Sequence, residues 1–383
     1  MSRNPLSALA LGLLAAPALG DAWDWNLNVN AEAGYDDNWN LSVKDPVDGY
    51  RIRITPDIFL RWETDRAMVE ADIGVRLERY FADIGDDRID RQDPFASLTG
   101  RYLLPRGSVG GAARYTKEAL VESEFEDTGV VAGRGSRELL SANAFWTHEL
   151  TELDSLTLSG GYAESTYTDD AYTDYDNWTA AVTLSRDIDE RTKAFVSLNT
   201  QLYRPTGGLP SFDQDAYYLQ AGVSREFSEA WSGTVSAGYG YIENERNQET
   251  TNGWLANMGF TRKDDYGQVS FGGGREISPS GAGELSIRSR IYADTSRQIA
   301  ERWEAGIGAF WAETNYPFEE RLAALRYGDT TQFEIAPRVS YQLAPEWRVS
   351  ASYRYRQQER DTDGDSAESN AVFLTIGYVP ERP

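Results

Sequence analysis

The chain has 383 residues, a formal net charge of −24, no cysteine and a single histidine, His148. The lack of cysteine excludes disulfides and thiolate-bound metals, and one histidine cannot form a multi-histidine metal site. So strong a negative field repels nucleic acid, which excludes DNA and RNA as partners. We expect no cofactor.

The first twenty residues are typical of a secretory signal peptide. Arg3 provides a short basic region, residues 6–16 form an apolar core, and residues 18–20 supply mostly small side chains at a cleavage site. The apolar run is too short to span a membrane as a helix. We therefore predict cleavage after the twentieth residue, export, and one domain made of residues 21–383.

Beyond the signal peptide, the sequence alternates apolar and polar residues in eighteen segments. In residues 347–356 every second residue, beginning with Trp347, is apolar, and the residues between are arginine or serine. Side chains of a strand point to opposite faces in turn, so the pattern predicts strands with one apolar face. The predicted strands are 24–35, 49–62, 67–82, 93–104, 108–117, 138–149, 155–167, 174–187, 192–204, 214–227, 231–243, 252–263, 266–276, 284–297, 302–313, 330–343, 347–356 and 368–379.

The connections between these strands alternate between short and long. Eight short ones carry turn-forming residues, such as Thr64-Asp65, and nine long ones separate them. A soluble β-sandwich shares the alternation of side chains, whereas this rhythm of connections is typical of a transmembrane β-barrel. We predict an all-β, antiparallel up-and-down barrel of about 18 strands, or about 16 if one hairpin is misassigned, in the bacterial outer membrane. Its short turns face the periplasm and its long loops face outside.

Aromatic residues recur at both ends of three predicted strands. A tryptophan follows a short turn in each, and another aromatic residue comes eight positions later in the same phase. The pairs are Trp231 and Tyr239, Trp303 and Trp311, and Trp347 and Tyr355. Eight residues extend about 26 Å along a strand, and a barrel's apolar band is about 25 Å tall. We interpret these residues as two aromatic girdles that contact lipid and lipopolysaccharide.

With the apolar faces outward, arginine recurs on the inward faces. The predicted lumen-facing arginines are Arg51, Arg53, Arg61, Arg76, Arg101, Arg114, Arg288, Arg290, Arg338, Arg348, Arg354 and Arg356. Those near the two ends of the chain become neighbours when the last strand pairs with the first. Two interpretations are open: a cationic wall that attracts anionic solutes, or ion pairs with inward carboxylates that only stiffen the barrel.

Two groups of residues carry weaker hints of chemistry. Asp361, Asp363 and Asp365 resemble part of a calcium loop, but the glycine is misplaced and the closing glutamate is missing, so a solvated loop is the alternative. His148 lies in phase with outward-facing residues beside a short turn, where packing at the membrane interface explains it better than catalysis. We predict that the protein is not an enzyme.

Two further segments suggest local features of the barrel. The glycines at 272–274 interrupt a strand pattern and predict a bulge or bend in the wall. In the long connection 314–329, Phe318, Leu322 and Leu325 have helical spacing. That segment either folds over or into the pore as a constriction or forms a small cluster on the surface.

Three stretches carry a resemblance to a known family. They are the opening strand at 28–38 with its Tyr-Asp-Asp-Asn ending, Arg-Ile-Thr-Pro at 53–56, and the final hairpin from 353–356 through 370–378. In these stretches the chain resembles the β-barrel porins associated with exopolysaccharide export. The resemblance implies an outer-membrane conduit for a secreted polysaccharide, working with a periplasmic polysaccharide-export protein. The last strand, which ends on Tyr378, resembles the signal that the barrel-assembly machinery recognises.

The function therefore has three candidate forms. The first is the export conduit, for which the lumen arginines favour an anionic polysaccharide. The second is a general diffusion porin for small solutes, since a barrel of 16 to 18 strands leaves an aqueous channel. The third is a non-conducting structural or adhesive surface barrel.

Overall fold

The computed structural model describes residues 23–43, 45–82, 90–127, 131, 135–207, 212–245, 249–317, 328–361 and 366–380. Eighteen strands and one helix, α1 (Leu120–Asp127), occupy this part of the chain. The strands are β1 (Trp23–Asp36), β2 (Gly49–Glu63), β3 (Ala67–Ala82), β4 (Asp90–Leu104), β5 (Gly107–Ala119), β6 (Ser136–Glu149), β7 (Asp154–Tyr167), β8 (Tyr175–Asp189), β9 (Thr192–Pro205), β10 (Gln214–Glu226), β11 (Trp231–Asn244), β12 (Thr250–Asp264), β13 (Gly267–Pro279), β14 (Leu285–Ala300), β15 (Trp303–Asn315), β16 (Thr330–Ala344), β17 (Trp347–Arg360) and β18 (Ser366–Tyr378).

The strands form one closed antiparallel ring. Each strand pairs with its neighbours in sequence, and β1 pairs with both β2 and β18. The closing ladder runs from Val29↔Tyr378 to Asp36↔Ala371, eight pairs, the fewest of any ladder among the described residues. All eighteen predicted strands are present, and their ends lie within four residues of the predicted positions. The predicted 18-strand up-and-down barrel is confirmed; the predicted signal peptide lies outside the described residues.

The outer face of the barrel is an apolar surface bounded by aromatic side chains. Leu374, in the middle of β18, is 57% exposed, as are many other large apolar residues that point outward. At the short-turn end, Trp303 lies 4.8 Å from Tyr341, measured between ring centroids, and Trp347 lies 4.9 Å from Tyr378. A surface of this kind is stable against lipid, because exposure of so much apolar area to water costs free energy.

The outer ends of the strands carry a second set of aromatic contacts. Tyr162 and Trp178 pack with ring centroids 4.5 Å apart, and Tyr217 and Tyr241 with centroids 5.4 Å apart. Tyr239 is 59% exposed on the same face. The structure thus has aromatic rings at both ends of its apolar band.

The strand containing the glycines at 272–274 is regular, so the predicted bulge is wrong. Residues 272–274 pair in unbroken register with β12 and β14. The glycine is needed for space on the inner face: a Cβ added to Gly272 would lie 2.8 Å from the hydroxyl oxygen of Tyr292 and 2.4 Å from the carbonyl oxygen of Met258. The register shifts that do occur lie near short turns, for example between Gln298 and Ala300.

The helix α1 is short and depends on the barrel for its stability. It has eight residues, and an isolated helix of that length is unstable in water. Its Leu120 and Phe125 are fully buried, which supplies the apolar burial that the helix lacks on its own. Among the described residues no helix has the length and apolar character needed to cross a membrane.

Candidate functional site in the barrel interior

The helix α1 lies inside the barrel, near the long-loop end. Its side chains contact strands on widely separated parts of the ring, which is possible only from within. Glu122 accepts hydrogen bonds from arginines of β2, Phe125 packs 5.9 Å from Phe310 of β15, and Asp127 pairs with Arg137 of β6. The connection between β5 and β6 therefore folds inward and narrows the lumen.

One side of α1 is sealed by a cluster of tyrosines and aliphatic side chains. Leu120 packs there with Tyr167, Tyr175, Tyr203 and other buried residues of the β7–β14 wall. The hydroxyl group of Tyr203 donates to the backbone carbonyl oxygen of Ser280 at 2.7 Å, so the polar end of this fully buried ring is satisfied. On this side of α1 the described side chains are packed as a protein interior.

The opposite side of α1 faces arginines. We use the term arginine cluster for Arg51, Arg53, Arg354 and Arg356, which β2 and β17 contribute from either side of the closing strand pair. These belong to the predicted lumen-facing set, and the structure brings residues from opposite ends of the chain together as ring closure requires.

Glu122 of α1 connects two members of the arginine cluster. Its Oε1 accepts from Arg51 Nη1 at 2.6 Å and from Arg53 Nη2 at 2.8 Å, and its Oε2 accepts from Arg53 Nη2 at 2.9 Å. Each arginine also has a carboxylate on the wall: Arg51 pairs with Glu32 at 2.6 Å, and Arg53 pairs with Glu78. The helix is thus attached to the wall through a network of charge-assisted hydrogen bonds.

The other two members of the arginine cluster are bound more loosely or to different partners. Arg354 lies 3.9 Å from Asp36, and Arg356 donates to Glu334 at 3.2 Å and lies 5.2 Å from the ring centroid of Phe125. The ring of Phe373 supports the cluster, with its centroid 4.9 Å from the guanidinium carbons of both Arg51 and Arg354. Cations over an aromatic face are stabilised by the ring quadrupole.

The electrostatic field of the arginine cluster acts strongly on Glu122. Burial alone would raise the pKa of the Glu122 carboxyl, but Arg53 and Arg51 hold that pKa well below its usual range, and the other two arginines add to the effect. Glu122 is therefore an anion at any physiological pH.

Glu126, one turn along α1, has the opposite environment. Burial and the neighbouring Glu334 raise the pKa of its carboxyl, while Arg356 only partly offsets them. The pKa values of Glu122 and Glu126 are therefore shifted in opposite directions by their surroundings.

Four of the eight remaining predicted arginines are paired with partners on the wall or on α1. Arg61 pairs with Glu63 at 2.6 Å, Arg76 with Glu118 at 3.1 Å, and Arg338 makes two hydrogen bonds to Asp294 at 2.9 and 3.0 Å. Arg288 donates to the backbone carbonyl oxygen of Asp127 and to Gln332. Ion pairing within the wall thus accounts for much of this set.

The positive charges of the other four arginines are balanced weakly or not at all by a neighbouring carboxylate. Arg101, Arg114 and Arg290 have no carboxylate within 4.0 Å in the part of the chain that the structure describes, and Arg348 lies 3.9 Å from Glu304 with its side chain 57% exposed. They face water inside the barrel. The lumen therefore combines paired arginines at the constriction with free positive charge on its wall.

Toward the short-turn end, the lumen opens into wide polar cavities. One of about 940 Å³ is lined by β8 to β12 residues such as Lys193, Ser224 and Asn257, and another of about 770 Å³ by Asn26, Arg348 and their neighbours. Against the arginine cluster lies a much smaller cavity of about 30 Å³. The lumen is thus a broad vestibule that ends at a constriction made by α1.

Sequence patterns pointed to a different segment as the constriction. The residues with helical spacing in the 314–329 connection, Phe318, Leu322 and Leu325, lie outside the described residues. The inward segment that the structure describes is α1, in the connection that the predicted strands leave longest, 118–137. Its acidic residues, set against the predicted lumen arginines, are the signal that could have identified it.

The other residues singled out from the sequence are the aspartates near position 363 and His148. Asp361 is in a turn, whereas Asp363 and Asp365 lie outside the described residues; no acidic or histidine cluster able to hold a metal occurs within the described ranges. His148 stacks on Trp146 with ring centroids 5.4 Å apart on the outer face of β6.

Comparison with known proteins places the fold. No protein-family model matches the sequence, and no curated protein matches it. OccAB4 of Acinetobacter baumannii is similar in structure with a TM-score of 0.50 and 10% identity, covering 95% of this chain and 100% of that one. OccAB3 of the same organism has a TM-score of 0.47 and 10% identity, covering 94% of this chain and 99% of that one. The outer membrane protein OprD of Pseudomonas aeruginosa has a TM-score of 0.46 and 11% identity, covering 93% of this chain and 94% of that one.

The chain is an integral β-barrel of the bacterial outer membrane. Its closed ring of eighteen antiparallel strands and its apolar, aromatic-bounded exterior have the form of an outer-membrane porin. At this level of identity the likeness concerns the fold, and the chemistry of the interior must be argued from its own residues.

Proposed function

We propose that this barrel is an outer-membrane channel for small solutes with a preference for anions. The observation that carries the proposal is the shape of the lumen: cavities of several hundred cubic ångströms lie on the periplasmic side, and α1 crosses the interior above them, with a cavity of about 30 Å³ beside the arginine cluster. A water-filled vestibule that narrows to a charged constriction selects solutes by size and by charge.

The anion preference follows from the uncompensated positive charge. Arg101, Arg114 and Arg290 face the lumen without a carboxylate partner among the described residues, and Arg348 has only a distant one. Guanidinium groups without a carboxylate partner raise the local concentration of anions in the water around them. The formal net charge of −24 is a sum over the whole chain.

Export of an exopolysaccharide would require a larger opening than this structure has. A polymer chain would have to pass the level of α1, whose Leu120 and Phe125 are fully buried between opposite walls. The helix would need to leave the interior for the whole of transport, with a periplasmic export protein as the partner. The lumen geometry favours small solutes over this hypothesis, which rests on the sequence resemblance.

Planar-bilayer recording tests the proposal directly. We expect small single-channel conductance and, in a KCl gradient, a reversal potential of the sign for anion selectivity. Arg114→Ala should reduce the selectivity, because it removes an unpaired lumen charge, whereas Arg79→Ala should not, because Arg79 pairs with Asp90 on the outer face. A barrel without conductance would support the structural or adhesive alternative.

A cellular experiment separates the two transport hypotheses. Deletion of the gene should leave polysaccharide secretion unchanged and slow the uptake of small organic anions. Loss of secretion with unchanged uptake would favour the export conduit and overturn the proposal.

A further inference from the structure

The carboxylate of Glu122 occupies a position with the features of an anion-binding site. Its two oxygens accept three hydrogen bonds, at 2.6, 2.8 and 2.9 Å, from Arg51 and Arg53. A free carboxylate or another small oxyanion presents the same pair of acceptors to the same donors. Glu122 can therefore be regarded as a ligand that the chain supplies to itself.

The donors of this site are held in place independently of Glu122. Arg51 donates to Glu32 at 2.6 Å and stacks over Phe373, and Arg53 pairs with Glu78, whose side chain is 1% exposed. All of these partners lie on strands of the closed barrel. The guanidinium groups thus remain oriented toward the lumen when Glu122 departs, which lowers the cost of binding a replacement.

Glu122 is less confined than Glu32 and Glu78, the two wall carboxylates that pair with Arg51 and Arg53. Its side chain is 25% exposed, and it belongs to an eight-residue helix outside the sheet, so its movement breaks no strand pairing. A cavity of about 30 Å³, lined in part by Arg51, Arg354 and Phe373, adjoins its carboxylate. That space accommodates roughly one water molecule. An incoming anion can place its first oxygen there, beside the guanidinium groups, before Glu122 has left.

We propose that the arginine cluster is a binding site for a small carboxylate or similar oxyanion and that Glu122 is its tethered, displaceable occupant. An anion that replaces Glu122 removes the hydrogen bonds that attach α1 to β2, so the solute itself loosens the constriction. This role in passage rests on the proposed channel function, whereas occupation of the site can be measured without any transport.

Chemical rescue with acetate tests the site. In Glu122→Ala the tethered carboxylate is gone and the space it filled is open. We expect acetate to raise the unfolding temperature of this variant in detergent micelles, and calorimetry to give an apparent Kd for acetate about tenfold or more lower than in the wild type, where Glu122 competes at a high effective concentration. Chloride at equal ionic strength serves as the reference salt.

The matched control is Glu304→Ala. It also removes a lumen carboxylate opposite an arginine, but in the vestibule and 3.9 Å from Arg348. Its affinity for acetate should equal that of the wild type. If Glu122→Ala fails to fold, Glu122→Gln, of nearly the same volume, carries the calorimetric comparison. Equal acetate binding in wild type and Glu122 variant, or none in either, overturns the proposal.

The outcomes also separate this site from the channel function. A barrel that conducts while its Glu122 variant ignores acetate retains the proposed function and loses the site. A barrel that never conducts, but whose Glu122 variant binds acetate, retains the site and loses the function. In wild-type channels, the combination of both proposals predicts that acetate increases the open fraction relative to chloride.

Discussion

On the inner wall, several glycines lie directly against aromatic rings of the neighbouring strand. Gly34 of β1 faces Phe373 of β18, whose ring supports Arg51 and Arg354. A Cβ at position 34 would lie 2.2 Å from the nearest ring carbon and 3.0 Å from the carbonyl oxygen of Val372. The arginine cluster therefore depends on the absence of one methyl group on the neighbouring strand.

The first prediction concerns that glycine. Gly34→Ala should reduce the free energy of unfolding by about 1–3 kcal/mol, because the Phe373 ring must move and the inner wall is overpacked. Urea titration in detergent micelles, followed by tryptophan fluorescence, measures the change. Gly253→Ala is the control, since nothing lies within 4 Å of the added Cβ. Equal stability of the two variants would contradict the role assigned to Gly34.

The second prediction concerns the pH response of α1. Burial and Glu334 raise the pKa of Glu126 in the folded protein, against Arg356 and Arg290, while Asp127 adds to the rise. A carboxyl whose pKa is raised on folding stabilises the fold as pH falls, because the folded state then binds the proton more tightly. Glu126→Gln should therefore raise the unfolding temperature at pH 7 and change it less at pH 4.

Thermal scans at the two pH values measure this effect. Glu190→Gln, at an exposed short turn, provides the control and should show no such difference between the two pH values. A Glu126→Gln variant that is less stable than the wild type at pH 7 would show that the carboxylate is favourably placed.

At the level of elements, α1 shows the limit of what periodicity reveals. Strands of the barrel repeat an alternation over thirteen to sixteen residues, so their pattern is unmistakable. The helix has eight residues and only three large apolar positions, Leu120, Val121 and Phe125, of which a single pair, Val121 and Phe125, has the helical spacing of four; so short a pattern does not identify a helix. It is helical because the barrel interior buries it, which is information held by strands far away in the sequence.

The third prediction tests α1 as the constriction. Phe125 is fully buried between Phe310 and Arg356, and its truncation to alanine removes contacts worth about 3–5 kcal/mol in a well-packed site. An isolated eight-residue helix has no net stability in water to offset this loss of packing free energy, so α1 should no longer stay in place. Phe125→Ala should therefore increase single-channel conductance in planar bilayers.

A lipid-facing substitution provides the comparison for that experiment. Phe227→Ala removes an exposed aromatic ring near a short turn, packed against Phe260 on the barrel exterior. Its conductance should match the wild type. Unchanged conductance in Phe125→Ala would mean that α1 does not limit the current.

For the whole molecule, the division into a lipid face and a water face is the property that sequence revealed best. Leu374 and Thr375 are adjacent in β18 yet face opposite environments: Leu374 points outward, and Thr375 lines a lumen cavity beside Glu32. This alternation was sufficient to predict the strands and the approximate positions of their ends. For the arginine cluster, the sequence predicted only that its members lie on neighbouring parts of the wall. It did not predict their partners, since contacts such as Arg53 with Glu122 join residues 69 positions apart.

The fourth prediction uses that adjacent pair. Leu374→Arg should lower the free energy of unfolding in lipid bilayers by about 2–4 kcal/mol, because the charge enters the apolar band. Thr375→Arg should be tolerated, since its guanidinium reaches water and the Glu32 carboxylate. Reversible urea unfolding in liposomes measures both. Similar losses for the two variants would contradict the assignment of faces.

The closing ladder between β1 and β18 has a consequence for how the molecule is made. Its eight pairs join the two extremes of the chain, and residues 23–28 of β1 are paired with β2 but extend beyond β18. No part of this seam can form before the last strand has been synthesised and exported. Contacts so distant in sequence are slow to form, and an unclosed sheet exposes edges that invite aggregation. We therefore expect closure of this seam to be the last and slowest step in the folding of the barrel.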